Sequence, residues 1–225
     1  MILHLVTDLR RLAPGATPAA AVEALLAQVA EAVAAGVDAV QLREPHLDVR
    51  ALTTLARAVV AATRRTRTRV LVNERLDVAL ATGADGVHLR GSSLDAARVR
   101  AVVRPGFLIG RSVHGPEEAS ASGPVDYLIA GTVWPTASKP DGHPQLGPDG
   151  LARVVASSAV PVLAIGGVTL DRVAALASSG AAGCAAIGAW MGAAPSAGVV
   201  PLTPVVAAFR GAFDTGNMTE RHPSE

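Results

Sequence analysis

The sequence contains little of what would mark several common classes of protein. Its 225 residues include a single cysteine, Cys184, which excludes an internal disulfide and fits a reducing compartment. Aromatic residues make up 3%, too few for a surface that stacks on nucleobases. The 20 basic and 19 acidic residues give a formal net charge of +1, so there is no basic field for nucleic acid. We therefore expect no nucleic-acid partner.

Long apolar runs are missing as well. The most apolar stretch, 181–202, is interrupted by glycines and by Pro195 and Pro201, whereas a membrane helix needs roughly 18 unbroken apolar residues. The N-terminus enters the apolar run Ile2–Val6 without the charged leader and cleavage site of a signal peptide. These absences predict a cytoplasmic protein with no membrane span.

What the sequence does contain is an alternation of short apolar runs with amphipathic stretches. The runs are continuous rather than alternating apolar and polar residues, which is typical of parallel strands covered on both faces. The predicted strands are Ile2–Val6, Ala39–Arg43, Val70–Asn73, Gly86–Leu89, Phe107–His114, Tyr127–Ala130, Val162–Ile165 and Cys184–Ile187. Eight strand–helix units predict an α/β protein with a single-domain (β/α)8 TIM barrel. An open doubly wound sheet is the alternative, but no Gly-x-Gly-x-x-Gly follows the first strand.

The ends of the predicted helices carry recognisable caps. Thr17 precedes Pro18 as an N-cap before proline at the first helical position, and Gly36 supplies the C-terminal stop of that helix. We expect the barrel to occupy residues 1–213. The polar stretch 214–225 is expected to be a disordered tail.

Polar residues and glycines collect where the apolar runs end, and TIM barrels place their active sites at the C-terminal ends of the strands. Because side chains alternate along a strand, Ser112 and His114 share one face, and so do Gln41 and Arg43. Asn73 ends the third run. A histidine at such an end suits proton transfer, although it also suits a structural hydrogen bond to a loop carbonyl.

Two other groups of residues suit an anionic ligand. Gly166, Gly167, Ile187 and Gly188 end the seventh and eighth runs, where this fold commonly binds a phosphate through backbone N–H groups. The alternative is that these glycines only make tight turns. The long loop after the sixth run carries Thr136, Ser138 and Lys139, which suit an anionic substrate or, alternatively, a solvated surface loop.

Six motifs follow one another along the chain. They are Gln41-Leu42-Arg43-Glu44, Val72-Asn73-Glu74-Arg75-Leu76-Asp77-Val78-Ala79, Gly83-Ala84-Asp85-Gly86-Val87-His88-Leu89, Ser112-Val113-His114, Pro135-Thr136-Ala137-Ser138-Lys139 and Ala164-Ile165-Gly166-Gly167. From about residue 3 to residue 213 the set resembles the thiamine phosphate synthase and TenI superfamily. The resemblance implies a TIM barrel, a role in thiamine biosynthesis and a thiazole phosphate at the barrel mouth.

The synthase branch of this superfamily joins a pyrimidine pyrophosphate to thiazole phosphate. It uses a Gln-x-Arg-x-Lys clamp for the pyrophosphate and Mg²⁺ held by two aspartates. Here the lysine position is Pro45, the first aspartate position is Glu74 and the second falls on Ser93. Mg²⁺, with Glu74 as its ligand and Asp95 or Asp141 as substitutes for the second, is expected only if this synthase alternative holds.

The TenI branch is the main expectation. The chain resembles it in having no aspartate pair and in Gly110–His114 followed by Glu117 and Glu118. The resemblance implies a thiazole tautomerase that aromatises carboxythiazole phosphate without metal or other cofactor, with His114 as the catalytic proton-transfer residue. Gly167 and the 187–188 backbone would hold the phosphate, with Thr136 and Ser138 as further candidates, and Arg43, Gln41 or Lys139 would meet the carboxylate.

A third hypothesis is a catalytically silent protein that binds thiazole phosphate. In each case the expected partner is that small molecule. Alanine-rich helix faces and Trp190, which the sequence suggests is exposed, leave room for a homo-oligomer.

Overall fold

Eight parallel strands close into a barrel in a computed structural model that describes residues 1–136, 138–140, 142–191 and 199–221. Strand β1 pairs with both β2 and β8, and every other strand pairs with its neighbours in chain order. The strands are β1 Ile2–Val6, β2 Ala39–Leu42, β3 Arg69–Asn73, β4 Gly86–Leu89, β5 Leu108–Val113, β6 Tyr127–Gly131, β7 Val162–Ile165 and β8 Gly183–Ala186. The predicted (β/α)8 barrel is confirmed, and the closed sheet excludes the doubly wound alternative.

Helices follow the strands and cover the outside of the barrel. They are α1 Leu9–Leu12, α2 Pro18–Ala35, α3 Val49–Thr63, α4 Leu76–Thr82, α5 Ala96–Val102, α6 Pro116–Ser120, α7 Gly147–Ala156, α8 Val173–Ser178 and α9 Thr203–Arg221. The predicted cap of α2 is present, since Thr17 accepts a hydrogen bond from the backbone N–H of Ala20 and Gly36 adopts a left-handed conformation. Short α1 was not predicted from the sequence.

The apolar residues divide into two layers because side chains alternate along each strand. One layer lies between strands and helices and includes Leu3 and Leu5, both fully buried. The other fills the barrel interior and includes Val6, Leu71 and Tyr127. The interior is packed, and a cavity opens at the mouth of the barrel, at the C-terminal ends of the strands.

Helix α2 is the one described helix that is long and apolar enough to cross a membrane by length and composition. Its contacts are those of a barrel helix. Leu25 and Val29 are fully buried against the core. The amide of Gln28 donates to the carbonyl of Trp190 at 3.0 Å, and Glu31 accepts from the N–H of Leu202 at 3.2 Å.

Two expectations near the C-terminus differ from the structure. Trp190 is 1% exposed, and its Nε1 donates to the carbonyl of His4 at 3.0 Å, so it packs inside the protein instead of offering an oligomer contact. Helix α9 continues to Arg221, whereas a disordered tail was predicted from residue 214. The apolar face of α9 explains why the helix docks on the barrel, since Phe209 packs against Trp190 with 5.5 Å between ring centroids and 41° between ring planes. Residues 222–225 lie outside the described part of the chain.

Candidate active site

The open mouth of the barrel is a cavity of about 1270 Å³ lined by residues from the ends of all eight strands. The residues predicted for catalysis and substrate binding all line this cavity, whereas Glu74, the conditional metal ligand, does not. They are Gln41, Arg43, Asn73, Ser112, His114, Thr136, Ser138, Lys139, Gly166, Gly167, Ile187 and Gly188. Their shared position follows from the parallel sheet, because strand ends that are far apart in sequence meet at one edge.

Gln41 and Asn73 form a pair on the floor of the cavity. The amide of Gln41 donates to Asn73 Oδ1 at 2.9 Å. Gln41 is 3% exposed, and its Oε1 is buried without a hydrogen-bond partner among the described residues. An unpaired buried acceptor is unfavourable by about 1–3 kcal/mol, so this oxygen is suited to accept from a ligand N–H group.

Arg43 is exposed in the cavity, and its backbone is fixed by buried neighbours. The N–H of Arg43 donates to Thr7 Oγ1 at 3.1 Å, and this hydroxyl donates to Glu44 Oε1 at 2.5 Å. Burial raises the pKa of Glu44 against the opposing effect of its hydrogen bonds from Thr7 and Leu9. These contacts hold the β2 end in place and leave the Arg43 guanidinium free to meet an anion.

Ser112 is held by a chain of buried hydrogen bonds. Its Oγ is 2.9 Å from His88 Nε2, and Tyr127 OH is 3.1 Å from His88 Nδ1. Burial, with a smaller effect from His4, lowers the pKa of His88 to about 3, so the imidazole is neutral. Burial likewise raises the pKa of the Tyr127 phenol. Gly110 leaves room for this series of hydrogen bonds, because a Cβ at that position would overlap the Tyr127 ring.

His114 lies at the rim, one residue beyond the end of β5. Its backbone N–H donates to Glu118 Oε2 at 2.9 Å, and its Nδ1 lies 3.1 Å from the same oxygen. The side chains of His114 and Glu118 are 62% and 50% exposed. His114 therefore lines the cavity beside Ser112, as the alternation of side chains predicted, but in a solvated position.

The backbone of the loop after β7 packs closely against the backbone of the segment that follows β6. Gly166 and Gly167 have φ angles of +95° and +65°, and a Cβ on Gly166 would lie 2.5 Å from Thr132 Cγ2. A Cβ on Gly167 would overlap the carbonyl of Pro135. Arg172 donates to the carbonyl of Gly167 at 2.6 Å. The bare, fixed backbone suits a phosphate contact through N–H groups.

Sequence reasoning missed three arginines of this site. Arg11, Arg90 and Arg172 line the cavity together with Arg43 and Lys139, while its acidic lining residues are Asp8 and Glu118. Arg11 lies in the unpredicted helix α1, near Gly188. Arg90 directly follows β4, so the sequence pattern places it at the barrel mouth, but no ligand-binding role was predicted for it. The excess of cations creates a local positive potential suited to phosphorylated substrates.

The described residues do not fit a magnesium ion held by protein carboxylates. Both oxygens of Glu74 face Arg90, and Asp95 caps α5 by accepting from the N–H of Arg98 at 3.0 Å. No group of three or more His, Cys, Asp or Glu residues suited to a metal occurs in the described ranges. Asp141 lies outside those ranges. Mg²⁺ requires oxygen ligands in a near-octahedral arrangement, which this donor set does not offer.

Comparison with known proteins identifies the family. Residues 15–190 match the family model described as thiamine monophosphate synthase. The chain belongs to this family. It is 43% identical over 189 residues to the thiamine-phosphate synthase of Azorhizobium caulinodans, an alignment that covers 83% of this chain and 85% of that protein. It is 44% identical over 163 residues to the enzyme of the same name from Methanoregula boonei, covering 72% and 76%.

A solved structure agrees with this membership of the thiamine monophosphate synthase family. The thiamine phosphate pyrophosphorylase from Pyrococcus furiosus superposes with a TM-score of 0.75 and 30% identity over 96% of each chain. The superfamily predicted from the motifs is thereby confirmed. The predicted tautomerase activity is contradicted, because these relatives are named as synthases. That prediction depended on the absence of the aspartate pair from this chain.

Proposed function

We propose that the protein is a thiamine phosphate synthase. In this reaction the thiazole nitrogen forms a bond to the methylene carbon of the pyrimidine pyrophosphate, while the carbon–oxygen bond breaks and its electron pair leaves with pyrophosphate. The observation that carries the proposal is a single cavity with glycine loops on one side and Gln41, Asn73 and Arg43 on the other. One mouth of this size has room for two phosphorylated substrates side by side.

The glycine side is suited to the thiazole phosphate. The backbone N–H groups of Gly166, Gly167, Ile187 and Gly188 would bind its phosphate, as the fold commonly does after strands seven and eight. Thr136 Oγ1 and Ser138 Oγ lie 3.2 Å apart at the cavity wall and can add hydroxyl donors. Lys139 supplies a charge in the same loop.

The opposite side is suited to the pyrimidine pyrophosphate. Gln41 Oε1 is an acceptor without a partner among the described residues, and Asn73, which accepts from the Gln41 amide, carries an N–H donor of its own. An aminopyrimidine presents the matching donor and acceptor, namely its amino group and a ring nitrogen. Arg43 offers the planar fork that binds phosphate oxygens in pairs. Ser112, oriented by neutral His88, would donate to the departing pyrophosphate.

No step is assigned to a metal, because the described carboxylates do not form a magnesium site. The expectation that Mg²⁺ accompanies synthase activity stays a prediction. We also propose a cytoplasmic location, in keeping with relatives that are biosynthetic enzymes. The homo-oligomer stays a prediction, but the buried Trp190 is no longer a candidate for its contact surface.

The test is formation of thiamine phosphate from the two phosphorylated precursors, with one pyrophosphate released per product. Arg43→Ala is expected to lower kcat/KM by about tenfold or more, since a charge-assisted bidentate contact is lost. Arg57→Ala, an exposed arginine on α3 outside the cavity, is the control for charge removal and should behave as the parent protein. Absence of product with and without MgCl₂ would overturn the proposal and favour the silent binding protein.

A further inference from the structure

Two charged residues at neighbouring strand ends are locked together at the cavity mouth. Glu74 follows β3 and Arg90 follows β4, and the two strands are paired with Asn73 opposite His88. Glu74 Oε1 accepts from the backbone N–H of Arg90 at 2.6 Å, and Glu74 Oε2 lies 3.1 Å from Arg90 Nε. One carboxylate thus holds both the backbone and the guanidinium of Arg90.

The backbone of Glu74 is shaped for this contact. Its φ angle is +67°, a left-handed conformation that glutamate rarely adopts and that is unfavourable by about 1–2 kcal/mol. The N–H of Glu74 donates to the carbonyl of His88 at 2.9 Å. The side chain of Glu74 is 20% exposed, whereas that of Arg90 is 70% exposed. The carboxylate is therefore a fixed anchor, and the guanidinium extends from it into solvent.

The outer edge of Arg90 is available to a ligand. Arg90 lines the cavity, and neither of its Nη atoms has a hydrogen-bond acceptor within the described part of the chain. Its Nε and backbone N–H are the groups engaged by Glu74. A guanidinium held at Nε keeps two donors in a plane, which is the geometry for two oxygens of one phosphate.

We propose that Arg90, oriented by Glu74, binds the leaving pyrophosphate in place of a metal ion held by protein carboxylates. The inference rests on the proposed synthase function. The reaction needs positive charge where pyrophosphate departs. In the carboxylate that the synthase alternative assigned to Mg²⁺, one oxygen already accepts from the backbone N–H of Arg90 and the other already faces its guanidinium. Arg90, with Arg43 in the same cavity, supplies that charge and binds pyrophosphate without a divalent metal.

The experiment is calorimetric titration of the full-length protein with inorganic pyrophosphate in EDTA at fixed ionic strength. The parent protein is expected to bind, and Arg90→Gln is expected to bind at least about tenfold more weakly, because a charged pair of donors is removed. Arg98→Gln is the matched control, since Arg98 is exposed on nearby α5 outside the cavity. It should bind as the parent protein does.

Two results would overturn the proposal. One is binding that is detectable only after MgCl₂ is added. The other is an Arg90→Gln variant that binds pyrophosphate as tightly as the parent protein. Thiamine phosphate formation is measured on the same samples, so a parent protein that makes product but fails either binding test loses this inference and keeps the proposed function. A parent protein that makes no product loses the function, and the titration still decides whether Arg90 is a pyrophosphate site.

Glu74 is a positioning residue in this scheme, and a second variant isolates its effect. Glu74→Gln keeps an oxygen that can accept from the Arg90 N–H but removes the charge that orients the guanidinium. We expect weaker pyrophosphate binding with a thermal midpoint close to that of the parent protein. An unchanged affinity would remove the orienting role from Glu74.

Discussion

At the scale of single residues, the buried chain from Tyr127 through His88 to Ser112 shows how burial sets chemistry. A charged imidazole at His88 would lose its hydration inside the barrel, so the neutral form is favoured. The same argument applies to His4, whose ring lies edge-on to Tyr127 with 5.1 Å between ring centroids. Burial lowers the pKa of His4 to about 4. Neutral histidines make the Ser112 site rigid without adding charge to it.

This burial predicts a dependence of stability on pH. The histidine of the unfolded chain binds a proton below its ordinary pKa of about 6.5, whereas native His88 does so only near pH 3. The free energy of unfolding should therefore fall as the pH is lowered from 6.5 towards 3. By pH 5, His88 should account for on the order of 2 kcal/mol of this loss. Denaturant unfolding from pH 7 to pH 5 measures it.

His88→Gln supplies the comparison, because glutamine can hydrogen-bond but does not titrate. The variant should lose less stability over the same pH range than the parent protein. Glu44, whose raised pKa acts in the opposite direction, is present in both proteins and cancels in the difference. Equal slopes in the two proteins would contradict the assignment to His88.

At the scale of secondary structure, the loop after β7 carries the most restrictive geometry of the site. Gly167→Ala should disrupt the loop, because the new Cβ would overlap the Pro135 carbonyl at a φ angle of +65°. We expect the KM for thiazole phosphate to rise by about tenfold or more as the backbone N–H groups shift.

Gly106→Ala is the control for the backbone effect alone. Its φ angle is +77°, and a Cβ there meets nothing within 4 Å. It should lower stability by about 1 kcal/mol while leaving the KM for thiazole phosphate near the parent value. Similar KM changes in both variants would show that the loop does not act through local contact with the substrate.

The elements also show what the sequence pattern resolves. All eight strands lie within one residue of their predicted bounds, because continuous apolar runs between glycines report burial on both faces. Helix α1 was missed because four residues are too few for a periodic pattern, and its Asp8 cap stands next to a Pro/Gly segment. The end of α9 was missed because polar residues 214–221 continue a helix whose apolar face is already docked.

At the scale of the whole molecule, charge is nearly balanced overall but uneven at the mouth. The formal net charge is +1, yet the cavity lining includes Arg11, Arg43, Arg90, Arg172 and Lys139. Attraction of phosphorylated substrates therefore arises from the local field at the mouth and not from the net charge.

Raising ionic strength should weaken this attraction. Between about 0.05 and 0.5 M salt the screening length falls from above 10 Å to a few ångströms. We expect the KM for the pyrimidine pyrophosphate to rise by about threefold or more, and by more than the KM for the less charged thiazole phosphate. Steady-state kinetics in sodium chloride measure both constants. Equal or absent salt effects would show that the cations do not act on the substrates.

The sequence by itself determined the barrel, the strand bounds and the residues that gather at the mouth. Apolar runs and turn residues mark the buried strands and their ends locally in the sequence, and a parallel barrel brings the C-terminal ends of all its strands together at one site. Only the tertiary structure decided which partners those residues take. Glu74 pairs with Arg90, and Arg11 lies near Gly188, because strand register and barrel closure join distant positions. Such contacts leave no periodic trace in the chain, which is why the pairing of Glu74 with Arg90 could not be predicted from the sequence.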